Sequence, residues 1–268
     1  MSYRNHGAWT EPGSHRQAIA ALPGDLRSLV DTVRGLLIHV DHTDFYGLST
    51  ASFGAGSRQT LPAAARLDQI RSSDRAPLAD RRPAGKRVPA TCRDYALLLC
   101  SFLRDKGQAA RVRCGFADYL VPGRFEDHWL CEYGHHGAWR RVDAQLDTEH
   151  RDRLSIDFDT LDIPREAFLS ANEAWRTYRS GRVDGASFGH GMAIGPRFLH
   201  VNLARDQLAL QGCEVSEWDN WRDALPWDDS LDPDSAAWCD AMATRISAME
   251  VSDGGRQEPR ITQPFWGC

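Results

Sequence analysis

Leu26, Leu29, Val30, Val33, Leu36, Leu37 and Val40 recur with a three-to-four-residue period, so residues 24–40 read as an amphipathic helix. The densest apolar stretch is VPATCRDYALLLCSFLRDKG, residues 88–107. Tyr95, Ala96, Leu97, Leu98, Leu99, Cys100, Phe102 and Leu103 leave it almost no polar face, which marks a helix buried on most sides. Thr91 is a good N-cap, Asp94 follows three residues on as in a capping box, and Gly107 is placed to end the helix. Cys92 falls in its first turn. The period then changes to two. In ARVRCGFADYL, Val112, Cys114, Phe116 and Leu120 alternate with Arg111, Arg113 and Tyr119, as in a strand. After a loop at residues 122–126, HWLCEY and AWRRVD flank GHHG and form a β-hairpin.

Weaker patterns surround this centre. Residues 1–23 are polar and irregular and suggest a flexible arm. A loop rich in Gly, Ser and Thr follows the first helix; its FGAGS lacks the Walker lysine and the dinucleotide spacing, so it reads as a turn. Residues 61–72, 166–179 and 235–249 suggest further helices, and residues 73–88 an exposed basic connector with Arg81 and Arg82. HGMAIGPRFLHVNLARD mixes loop with a short apolar run, and His190 and His200 in it read as loop residues near the site. Residues 214–234 are acidic and hold Trp218, Trp221 and Trp227, which suit anchoring a small subdomain to the core. The expected division is an arm (1–23), a catalytic core (24–150), a C-terminal extension packing on or covering the cleft (151–250) and an irregular tail (251–268).

Composition narrows the function classes. The chain of 268 residues is 42% hydrophobic and 26% charged, ordinary for a globular protein. Its net charge of −5 argues against a nucleic-acid or anionic-membrane partner. No secretory signal is visible in the first residues, and no apolar run reaches the ~18 residues of a membrane span. Seven cysteines, an odd number without a regular framework, suggest reduced thiols and a cytoplasmic protein. Cys100, Cys114 and Cys131 sit at apolar-periodic positions and read as core. With no CxxC, Cys131, His135 and His136 do not make a zinc site, so neither metal nor organic cofactor is expected. The oligomeric state is not legible.

The hairpin supplies the candidate chemistry. If GHHG is symmetric about its two histidines, Asp143 lies directly opposite His128, with Cβ atoms about 4.5–5.5 Å apart. Asp143 would then fix the His128 tautomer and stabilise its charged form. Cys92 at a helix N-terminus is the natural third group, because unpaired amides and the helix dipole favour a thiolate. Together the three suit nucleophilic attack on a carbonyl through a thioester.

The Cys-led helix, the strand AARVRCGFADY, then HWLCEY and AWRRVDAQLD resemble, in that order, the transglutaminase-like superfamily, relatives of papain-type cysteine proteases. The likeness covers residues 86–147. It implies an α+β, papain-like core in which the nucleophile helix packs on an antiparallel sheet, with added helices and loops. Cys92 would be the nucleophile, His128 the base and acid, and Asp143 the orienter; Gln59 is a candidate oxyanion donor. The chain has Pro89, Ala90 and Thr91 where the family usually carries glycine or tryptophan. The expected activity is hydrolysis of a peptide or isopeptide amide. The alternatives are an amide-forming acyltransferase or transglutaminase of small-molecule or peptide biosynthesis, and a binding module that keeps the fold without catalysis. The substrate would be a small molecule or peptide carrying an amide or thioester, free or carrier-bound.

Overall fold

The computed structural model describes residues 3–49, 51, 59–214 and 231–252. Residues 3–23 are not a loose arm. They contain α1 (Arg16–Ala20), bury Ile19 completely, and are tied to the core by Ser101 Oγ donating to the Thr10 carbonyl at 2.7 Å. Asp25 caps α2 (Leu26–Leu36) by accepting the Ser28 amide at 2.9 Å. The expected helix stops short of residue 40, because Leu37 and Ile38 are both fully buried and a strand can bury consecutive residues on opposite faces. These residues form β1 (Leu37–His39), which pairs in parallel with β2 (Val88–Ala90); His39 faces Ala90. Between them lies α3 (Ala63–Ser73). Arg82 and Arg87 are not exposed: their guanidiniums bond the carbonyls of Pro77 (2.7 Å) and Arg82 (3.1 Å).

The buried helix α4 spans Cys92–Asp105. Its apolar residues pack among Leu29 and Val33 of α2, Leu67 and Ile70 of α3, and a sheet face made by Val112, Cys114, Trp129 and Cys131. That sheet comprises β3 (Ala110–Val121), β4 (Arg124–His135) and β5 (Ala138–Val142). After α5 (Thr148–Leu154) it continues with β6 (Phe168–Ser170), then, beyond α6 (Ala171–Arg179), β7 (Phe188–His190) and β8 (Ala193–Ile194). The order is β6–β3–β4–β7–β8, with β5 beside the other half of β4. β7 joins β4 in parallel, Phe188 opposite Phe125, so the sheet is mixed rather than purely antiparallel. Helices α7 (Pro196–Leu210) and α8 (Pro233–Ser252) complete an α+β fold.

Two expectations fail for instructive reasons. The run read as loop and short apolar segment is mostly α7. Asn202, Arg205, Asp206 and Gln207 are all fully buried in it, so polar side chains point inward and the usual two-faced pattern is erased. The hairpin centre is also displaced. The turn is His136–Gly137, with φ of 49° and 78°, a two-residue type I′ geometry. Pairing therefore runs from His135↔Ala138 to Cys131↔Val142, which would set Gln145, not Asp143, across from His128. An offset of two residues preserves the face.

Gly115 is opposite His128, and a Cβ there would meet the Leu169 carbonyl oxygen at 2.2 Å. Gly115→Ala therefore pushes β6 off β3, and its denaturation midpoint should report a loss of about 1–3 kcal/mol. An unchanged midpoint would show that β6 has room to shift.

Helix α8 continues to Ser252, and the FGAGS turn and Trp218, Trp221 and Trp227 lie outside the described residues. Cys92, Cys100, Cys114, Cys131 and Cys239 form no disulfide, but Cys213 is disulfide-bonded, so the expectation of uniformly reduced thiols does not hold. No helix among the described residues is long and apolar enough to cross a membrane.

Candidate active site

Cys92 is the first residue of α4 and is half-buried. Thr91 before it has extended backbone (φ −107°, ψ 169°), as an N-cap must. The Asp94 carboxylate accepts the Thr91 amide at 3.0 Å and the guanidiniums of Arg66 and Arg93 at 2.8 and 3.2 Å. This buried ion network fixes where the helix begins. Of the first-turn amides, that of Asp94 is spent on the Thr91 carbonyl at 2.9 Å, within the capping box.

His128 and Asp143 meet although they are not directly paired. β5 ends at Val142, and the Asp143 carboxylate reaches back so that Oδ2 lies 2.7 Å from His128 Nε2. The Tyr119 hydroxyl donates to the same oxygen at 2.8 Å, and the Gln145 amide donates to Oδ1 at 2.9 Å. The backbone is held as well: the Asp143 amide donates to the Thr160 carbonyl at 3.0 Å, and Arg34 Nη2 to the Asp143 carbonyl at 3.3 Å. Burial pushes the Asp143 carboxyl up, but the adjacent His128 charge and these hydrogen bonds outweigh it and hold the group below its ordinary range. Because Nε2 faces Asp143, Nδ1 is the His128 nitrogen left for other work. Alternation along β4 sends Trp129 the other way, into the core beneath α4.

Cys92 and His128 line one cleft of about 200 Å³, with Thr91, His39, His42 and Gln145 among its walls. Glu126 and His190 also line it, with Oε1 and Nδ1 2.5 Å apart. Two larger crevices, about 410 and 470 Å³, share Asp31, Arg34, Asp147 and Thr148 and are lined by no cysteine. Gln59 is exposed and is not part of the cleft wall; its carbonyl accepts Arg66 Nη2 at 3.0 Å. Cys100, Cys114 and Cys131 are fully buried, and burial raises the thiols of Cys114 and Cys131 well above the usual range. His135 and His136 sit at the hairpin turn, and His200 packs edge-on against Trp238, 5.2 Å between ring centres. Tyr119, Gln145, His39 and His42 belong to the site without a motif in the sequence to mark them. Tyr119 carried a faint signal as the polar-face partner on β3; the other three carried none, since long-range pairing brings them in.

No family model matches the chain, and no curated protein matches it. Among solved structures, a candidate cysteine protease from Cytophaga hutchinsonii is similar at 14% identity and a TM-score of 0.39, over 63% of this chain and 44% of that one. The chain thus spans less than half the length of that protein.

Proposed function

We propose that the cleft performs cysteine-dependent acyl chemistry, with hydrolysis of a peptide or isopeptide amide as its principal reaction. The observation that carries this reading is the 2.7 Å His128–Asp143 pair in the same cleft as a cysteine at a helix N-terminus. Cys92, as thiolate, attacks the amide carbon and forms a C–S bond. The oxyanion develops beside the first-turn amides of α4. His128 gives its proton to the departing amine as the C–N bond breaks, leaving a thioester. Water then attacks the thioester, and the acid and Cys92 are released. A cleft of about 200 Å³ lies below the ~300–1,000 Å³ of drug-sized sites and suits a side chain or chain end. The second reading is transfer to an amine. It is favoured by His190, a residue of the C-terminal extension that lines the cleft.

Intact-mass labelling with p-nitrophenyl acetate tests the nucleophile. The wild type gains one acetyl group, and Cys92→Ala gains none. In parallel, His128→Ala slows alkylation of Cys92 by iodoacetamide about tenfold or more at neutral pH, as the imidazolium that favours the thiolate is lost. Equal acetylation of wild type and Cys92→Ala would remove Cys92 from the mechanism. Alkylation indifferent to His128 supports the binding-module alternative.

A further inference from the structure

Besides His128 the cleft is lined by His39, His42 and His190, and the three proposed catalytic groups leave His42 unused. His42 follows β1, and the pairing of His39 with Ala90 brings this segment to the start of α4, two residues before Cys92. The Val40 amide extends the pairing by donating to the Ala90 carbonyl at 3.0 Å. The ring is clamped. It stacks on Phe45 with centroids 4.8 Å apart and tilts against His39 at 4.6 Å. Its Nδ1 lies 3.1 Å from His150 Nε2 and 3.1 Å from the Gln145 side-chain amide.

The hydrogen-bond partners constrain what each nitrogen does. Asp147 Oδ1 is 2.9 Å from His150 Nδ1, and the Tyr46 hydroxyl donates to Oδ2 at 2.7 Å. Burial pushes the Asp147 carboxyl up, but the His150 and Tyr46 hydrogen bonds win and keep it ionised. An ionised carboxylate only accepts, so His150 Nδ1 donates. In the tautomer with one proton on the buried His150 ring, at Nδ1, its Nε2 accepts, and the donor is the Nδ1–H of His42. Gln145 agrees once its amide is turned over. As placed, its Oε1 is buried without a hydrogen-bond partner among the described residues; turned, the oxygen accepts from the same Nδ1–H. In that tautomer His42 Nε2 keeps its lone pair, and it has no hydrogen-bond partner among the described residues. The charged and titratable groups around the ring are Asp41, Asp44, His128 and His150, with His39 stacked against it. Burial first, and then His150, lower the His42 pKa to about 4, so the ring is neutral at neutral pH.

We propose that His42 is the base for the acyl acceptor: its Nε2 takes the proton from the water or primary amine that attacks the Cys92 thioester. This rests on the acyl-enzyme reading above and adds a division of labour to it. His128 serves Cys92 and the leaving group; His42 serves the incoming nucleophile. In the step, the nucleophile's oxygen or nitrogen bonds to the acyl carbon and its proton passes to Nε2. The C–S bond breaks, and its electron pair returns to the Cys92 sulfur. The His150–Asp147 chain holds the transient imidazolium, which then loses its proton to solvent.

Stopped-flow turnover of p-nitrophenyl acetate separates the two halves. Wild type, His42→Ala and His42→Asn all release a burst of one nitrophenolate per Cys92, while the following steady-state rate falls about 10²-fold or more in both variants. The Asn side chain offers an N–H to His150 in place of Nδ1 but supplies no base, so it guards against a merely structural loss. Hydroxylamine attacks thioesters without prior deprotonation, and it restores the variants far more than it accelerates the wild type. A steady-state rate unchanged in both variants overturns the role of His42, as does a burst lost together with turnover in both. A wild type without a burst, or a burst that survives Cys92→Ala, overturns the acyl-enzyme reading itself.

Discussion

Asp143→Asn lowers turnover of an activated acyl donor about 10³–10⁴-fold, on the scale seen when an orienting carboxylate is neutralised in other nucleophile–His–Asp sets. The hydrogen-bond inventory around the carboxylate is the reason. Oδ2 accepts from His128 Nε2 and from the Tyr119 hydroxyl, and Oδ1 accepts from the Gln145 amide. All three partners present a proton, so a side chain that is half donor cannot satisfy them. With its NH₂ toward Gln145, Asn meets a backbone N–H head on. With its NH₂ toward His128, it forces the imidazole proton onto Nδ1, the nitrogen needed to accept a proton from Cys92. Asp143 is 1% exposed, so water cannot relieve either conflict. The same substitution costs about 1–3 kcal/mol of stability through the unsatisfied group. Burst kinetics paired with a denaturation curve separate the two effects: the fold persists while acylation slows. Acylation within about threefold of wild type would mean that His128 orientation does not depend on Asp143.

What could be read from the sequence follows the distance over which each signal acts. The start of α4 was legible because Thr91, Cys92 and Asp94 form a local device within a single turn. The His128–Asp143 relation was legible for a subtler reason. The hairpin centre was misplaced, since His136 adopts a positive φ that a non-glycine residue rarely takes, and the register came out two residues off. Parity along a strand survives an error of two, so both side chains still fell on one face. The 2.7 Å contact is then made by Asp143 bending back from beyond the strand end. His42 and Gln145 were beyond reach. They depend on β1 finding β2 about fifty residues later, a parallel pairing that no local pattern announces. Helix α7 was missed for the opposite cause: Asp206 binds Arg113 through two hydrogen bonds of 2.9 and 2.8 Å, so its charge points inward and mimics a polar surface in the sequence.

Asp94→Ala unfolds the protein more readily by about 3–5 kcal/mol, because it strands two buried cations. Asp94, Arg66 and Arg93 are 2%, 2% and 1% exposed, so none can turn to solvent without opening the core. Arg66 keeps the carbonyls of Gln59 and Pro89, and Arg93 keeps those of Leu61 and Glu214, but carbonyl dipoles replace only part of a full counter-charge. Burial already pulls the Arg93 guanidinium below its ordinary range, with Asp94 the first group opposing that pull. At roughly 2–4 °C per kcal/mol for chains approaching this size, the melting temperature should drop by about 6–20 °C. The double variant Asp94→Ala/Arg66→Met recovers part of the loss, since it removes one of the stranded charges. A single-variant loss under about 1 kcal/mol would show that the carbonyls suffice. The consequence also reaches the chemistry. Asp94 holds the Thr91 amide at 3.0 Å and so sets the turn from which Cys92 projects. In Asp94→Ala that turn frays, the first-turn amides lose their fixed direction, and iodoacetamide labelling of Cys92 slows at temperatures well below the transition. Slowed labelling of a still-folded chain ties the reactivity of the thiol to the ion network behind it.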